Sequence, residues 1–131
     1  MSAVAPVVPA INDTEIEAIL EAAYAAGARE AGYIILRLPL ELKELYREWL
    51  ATSFPDRADR AISLLQSMFG GKDYVSSFGI RQRGSGPYAD MIANRFKIAT
   101  QRLGLNQRGK YRLRTDLFER PVRPGGQMPL I

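Results

Sequence analysis

Residues 5–39 read APVVPAINDTEIEAILEAAYAAGAREAGYIILRLP, and this stretch decides the fold class. Val4 to Val8 is the stub of a strand, bracketed by Pro6 and Pro9, and proline belongs at strand ends and edges. Asn12 is a candidate N-cap with Glu15 as its capping-box partner, while Thr14 with Glu17 offers a second register. Ile16, Ile19, Leu20 and Ala23 then recur at helical spacing and give one apolar face. Gly27 suits the left-handed conformation that stops a helix. Tyr33 to Leu38 is a short run without alternation, interrupted by Arg37 and ended by Pro39. Such a run suits a strand buried on both faces of a parallel sheet. The sum is a βαβ unit, the building block of parallel sheets covered by helices. A βαβ unit is a slice of a larger sheet, so its partner strands are expected outside this sequence.

Composition narrows the chemistry. A chain of 131 residues suffices for one small domain with its own core. Cysteine is absent, which excludes a disulfide framework, a thiolate nucleophile and a thiolate metal site. Histidine is absent too, which removes the commonest general base and most zinc sites. No apolar run approaches the roughly 18 residues of a membrane span, and the N-terminus lacks the pattern of a secretory signal. A cytoplasmic location is the default expectation. Charge is uneven: residues 1–60 carry six basic and ten acidic side chains, whereas residues 61–131 carry twelve and four. The second half suits phosphate and the first half repels it; a merely solvated basic tail is the alternative.

Beyond Pro39 the pattern turns helical. A helix from about Glu41 to Thr52 is expected to bury Leu42, Leu45, Trp49 and Leu50, and Pro55 breaks it. A second, from about Asp56 to Phe69, carries Ile62, Leu65 and Phe69 as its stripe, with Asp56 and Arg60 as an i,i+4 pair. Gly70 and Gly71 end it. After the loop KDYVSSFGIRQRGSGP over residues 72–87, a third helix runs from Pro87 to about Leu103, with Ile92, Phe96, Ala99 and Leu103 on one face and Gly104 as its cap. Residues 106–131 are basic, rich in glycine and proline, and read as a flexible tail. The expected organisation is therefore a βαβ portion over 1–40, a helical extension over 41–105 and a basic tail over 106–131.

PVVPAIND, a helix and GYIILRLP together resemble the late strands of a radical S-adenosylmethionine barrel. The resemblance is to the DNA-repair-photolyase-like subgroup related to spore photoproduct lyase. LPLELKELYREWL, FPDRADRAISLLQSMFGGKDY, FGIRQRGSGPYADMIANRF and RLGLN resemble that subgroup's C-terminal extension. The resemblance implies an α/β fold: the C-terminal fragment of a (β/α) barrel, with about two parallel strands, followed by a mostly helical extension. In the family, three cysteines spaced CxxxCxxC hold a 4Fe–4S cluster that binds S-adenosylmethionine. This chain has no cysteine, so it is expected to hold no cofactor or metal alone, to have no catalytic residue of its own, and to need an N-terminal barrel half as partner. Alone it is expected to be marginally stable, because unpaired strand edges invite aggregation.

Several residues are candidates for function. Asn12 and Asp13 follow the first strand, where α/β barrels build their active sites, and could line the cofactor pocket; Asn12 as a plain helix cap is the alternative. Arg37 ends the second strand and could meet the carboxylate of S-adenosylmethionine; an ion pair with an absent barrel residue is the alternative. Arg81 and Arg83, in a glycine-bearing loop, suit phosphate, with Tyr74, Phe78 and Tyr88 near enough in sequence to stack on bases. An ordered connection packed on the barrel is the alternative. Lys110, Arg112 and Arg114 alternate with Tyr111 and Leu113, as in a basic edge strand or a tail that contacts DNA nonspecifically. Gln127, Met128, Leu130 and Ile131 resemble the short peptides that dock on the bacterial sliding clamp, departing at Pro129 and the terminal isoleucine; a frayed terminus is the alternative.

Overall fold

The computed structural model describes residues 2–39, 41–71, 79–107, 109 and 114–121. The fold is mixed α/β and mostly helical, with a two-stranded parallel sheet. Strand β1 (Ser2–Val7) pairs with β2 (Ala31–Ile35) through the crossover helix α1 (Ile16–Ala25). Ser2 faces Ala31 and Val4 faces Tyr33, and the register shifts before Val7 meets Ile35. The shift spans Pro6, which has no N–H to give the ladder.

Among the described residues one face of the sheet is sealed and the other is only partly covered. Val4, Val7, Tyr33 and Ile35 are buried, and they form one apolar cluster with Ile16 and Leu20 of α1. The long helix α5 (Pro87–Leu103) completes that cluster with Ile92, Phe96 and Ala99; the Phe96 ring lies 4.7 Å from that of Tyr33. On the opposite face Ala3 and Ala5 are exposed, and Gly32 and Ile34 are only half-buried. β2 therefore alternates between buried and half-buried residues, where the sequence suggested burial on both faces.

Helices α2 (Leu42–Ser53) and α3 (Ala58–Met68) extend the core through Tyr46, Leu50, Ala61, Leu65, Met68 and Phe69. The expected inner face of α2 is corrected. Leu50 is buried, but Leu42, Leu45 and Trp49 are exposed, and Tyr46 takes the inward position. Helix α2 is rotated so that Trp49 lies at the margin, with its ring 5.3 Å from Phe54 edge to face. On α3 the expected Asp56–Arg60 pair gives way to Asp56 and Arg57 at 3.9 Å. The phosphate-loop candidates lie on a short helix, α4 (Ile80–Arg83).

The tail boundary also moves. Asn106 belongs to the folded body: its side chain accepts from the Ala31 N–H at 2.7 Å and donates to the Ala31 C=O at 2.9 Å. The Ser2 N–H donates to Glu30, so Ala31 turns its polar groups away from β1, and the Asn106 amide serves as a one-residue strand there. Asparagine tolerates the left-handed backbone that this placement needs, at φ 58. Among the described residues no helix is long and apolar enough to cross a membrane.

The rotation of α2 is testable by unfolding in urea. Leu50→Ala should cost about 2–5 kcal/mol, as for a buried leucine. Leu45→Lys should stay within about 0.5 kcal/mol of the parent, as at an exposed site.

Candidate functional site

The chain leaves β1 into a tight loop that one side chain holds. The Ile11 and Asn12 N–H groups both reach the Val8 C=O at 3.1 Å. The Asn12 Oδ1 accepts from the Val8 N–H at 2.6 Å, and its Nδ2 donates to the Pro6 C=O at 3.0 Å. Asn12 thus clasps the end of β1 and makes no side-chain cap to the 3-10 turn Asp13–Glu15, which corrects its expected role. Ala10 is held at φ 65, a conformation costing a non-glycine residue about 1–2 kcal/mol.

Asp13 is carried inward by this loop and is only 4% exposed. Tyr88, in the first turn of α5, donates its hydroxyl to Asp13 Oδ2. Asp13 Oδ1 is buried without a hydrogen-bond partner among the described residues. Asp13 and Tyr88 border a cleft of about 320 Å³ shared with Thr14, Arg57 and Arg60, and Ala10 and Ile11 line the loop side. Arg57 stands at the N-cap position of α3, without a side-chain capping bond, and Arg60 lies in its first turn. The first turns of α3 and α5, and the 3-10 turn leading into α1, therefore meet at one cleft. It lies beyond the C-terminal end of β1, where open α/β sheets bind ligands.

Two more rungs fix the geometry. Arg95 of α5 grips Glu17 of α1 through two hydrogen bonds of 2.8 and 2.6 Å, and Arg102 reaches Glu21 at 2.5 Å. The hydrogen bonds from Arg95 hold the Glu17 carboxyl below its usual range against the opposing effect of burial. Asp13, Glu17 and Glu21 follow at every fourth residue, whereas Tyr88, Arg95 and Arg102 follow at every seventh.

The sequence-predicted residues separate. Asp13 forms the floor of the cleft, and Asn12 is spent on the backbone. Arg37 lies two residues beyond β2 and is exposed, so burial on a strand does not force it to have a partner. Arg83 sits over the Tyr33 ring at 4.1 Å, and Arg114 is paired with Asp116 at 2.7 Å. Arg81 is half-buried on α4. Gly84 packs tightly: a Cβ there would stand 2.9 Å from that of Met68, so this glycine serves a close approach of α4 to α3. Tyr88 is half-buried in the cleft with its hydroxyl committed to Asp13. Tyr74, Phe78, Lys110, Arg112, Gln127, Met128, Leu130 and Ile131 lie outside the described residues. Sequence reasoning missed Arg57 and Arg60 as site residues and gave Tyr88 a base-stacking role in place of its bond to Asp13. The acids at 13, 17 and 21 facing Tyr88, Arg95 and Arg102 were the available signal for the Asp13–Tyr88 pairing, and no such pattern marks the two arginines. Comparison with protein-family models, with characterised proteins and with solved structures finds no match.

Burial, then the bond to Asp13, pushes the Tyr88 hydroxyl up to about 12 from the usual 10. Burial alone takes Tyr46 to about 12. Both groups bind protons more tightly when folded, so stability is intact below about pH 10 and falls as pH rises toward about 12. Urea midpoints measured across that range should fall, and Tyr88→Phe should fall less steeply. An identical slope in the variant would contradict the assignment.

Proposed function

We propose that the chain forms a late strand–helix–strand portion of an α/β barrel of the radical S-adenosylmethionine type, in the DNA-repair-photolyase-like subgroup. One observation supports the reading: among the described residues, a parallel sheet is covered by helices on one face only. Parallel sheets of this kind normally have both faces covered. Among the described residues Ala3 and Ala5 are exposed and Gly32 and Ile34 only half-buried on the other face, and no strand pairs with the second edge of β1. Helices α1 and α5, separated in the chain by α2, α3 and α4, run parallel to one another on the covered face, as neighbouring helices of a barrel do. The polar cleft then lies at the barrel's active-site end.

By resemblance, the complete enzyme would generate a 5′-deoxyadenosyl radical that abstracts hydrogen from its substrate, with a pyrimidine lesion implied by the relation to spore photoproduct lyase. The residues present do not fit the cluster. There is no cysteine or histidine, and the described residues contain no group of three or more carboxylates placed to hold a metal. The cluster would come with the N-terminal barrel half. A part in lining the S-adenosylmethionine pocket fits Asp13 better than Asn12 or Arg37, since only Asp13 borders the cleft.

Contact with DNA through the basic half has less support, because Arg83 is stacked on Tyr33 and Arg114 is paired. The clamp-docking reading of residues 127–131 rests on sequence alone.

Anaerobic co-expression with the cysteine-bearing early strands of a photolyase-like radical enzyme tests the proposal. The two chains should co-purify with iron–sulfur absorbance, and the present chain should melt at higher temperature in the complex. Separate elution with an unchanged melt would overturn it.

A further inference from the structure

The cleft can be read without reference to the barrel, from the charges around it. Two guanidinium groups, Arg57 and Arg60, stand on its rim. Both are exposed, and among the described residues Arg60 has no ion-pair or hydrogen-bond partner. Among the described residues the Arg57 guanidinium has only Asp56 at 3.9 Å and the Phe54 ring. The first turn of an α-helix directs unpaired N–H groups and a partial positive charge outward. Here the 11-residue α3 and the 17-residue α5 both bring first-turn side chains to the cleft. Helix N-termini with arginine beside them are suited to oxyanions.

A simple anion does not complete the site. Asp13 is 4% exposed at the floor, with Oδ2 accepting from Tyr88 and Oδ1 without a partner. A buried acceptor left unpaired is costly, and it calls for a donor. Tyr88 has one hydroxyl hydrogen, and it is already given to Oδ2. A ligand that supplies this donor to Oδ1 while placing an anion on the arginine rim would complete the site.

We propose that the cleft binds a small oxyanion that also bears a hydroxyl or amino group, with the anion on Arg57 and Arg60 and the donor directed to Asp13. A hydroxylated phosphate ester and a hydroxy acid share this chemistry. This proposal does not depend on the barrel reading.

The test uses the chain itself and three probes followed by isothermal titration and by NMR shifts of Thr14 and Tyr88. Glycerol 3-phosphate carries both groups, glycerate replaces the phosphate by a carboxylate, and methyl phosphate keeps the anion but lacks the hydroxyl. At least one hydroxylated probe should bind at millimolar concentration or tighter, and methyl phosphate should bind about tenfold more weakly than glycerol 3-phosphate. Whichever hydroxylated probe binds more tightly identifies the anion. Arg60→Gln, on an exposed side chain, should weaken every probe by about tenfold or more. Asp13→Asn should abolish the preference over methyl phosphate; if that variant fails to fold, Arg57→Gln serves as the second probe of the anion side. Absence of binding by all three, equal binding of methyl phosphate, or binding untouched by Arg60→Gln would each overturn the proposal.

Discussion

The parallel seam between α1 and α5 is the constraint on which the rest of the structure depends. Sequence neighbours do not make it; residues about 75 to 81 positions apart meet there. Below the polar rungs, Ile16 and Leu20 meet Ile92, Phe96 and Ala99 over the sealed face of the sheet. A two-stranded sheet is marginal by itself in water. The two helices supply its stability by burying Val4, Val7, Tyr33 and Ile35. Exposed ion pairs contribute little, but Glu17 and Arg95 are about two-thirds buried and bonded in a bidentate fork, so their geometry is specific.

The same seam sets the chemistry at its end. It brings Tyr88 over Asp13, which keeps a nearly fully buried carboxylate singly bonded beside two arginines. Asn12 contributes from the other side. By clasping Val8 and Pro6 it fixes where the loop turns, and so where the next residue enters the cleft. The loop clasp and the cleft carboxyl thus fall on adjacent residues with the same preference for turns and caps.

Local signals were legible in the sequence and long-range ones were not. The βαβ order, the stop at Gly27 and the span of α5 from Pro87 to Gly104 follow from spacing and punctuation. The face of α2 did not follow: Leu42, Leu45 and Trp49 form as good a stripe as Tyr46 and Leu50, and only packing against α3 decides between them. Asn106 read as the start of a tail because nothing local marks an amide that will pair with Ala31. In the cleft, Asp13 was legible from its position after a strand. Arg57 and Arg60 were not, because an exposed arginine in a helix's first turn has no distinguishing pattern until the fold sets it against another loop.

The most direct measurement of this account is a double-mutant cycle on Glu17 and Arg95. Glu17→Gln, Arg95→Gln and the pair would be compared by urea unfolding, with the Tyr88 resonance followed as a reporter of the cleft. The account predicts a favourable coupling of about 0.5 kcal/mol or more, and a Tyr88 shift in both single variants. Additive losses with Tyr88 unmoved would mean that α1 and α5 do not form the seam that carries the site.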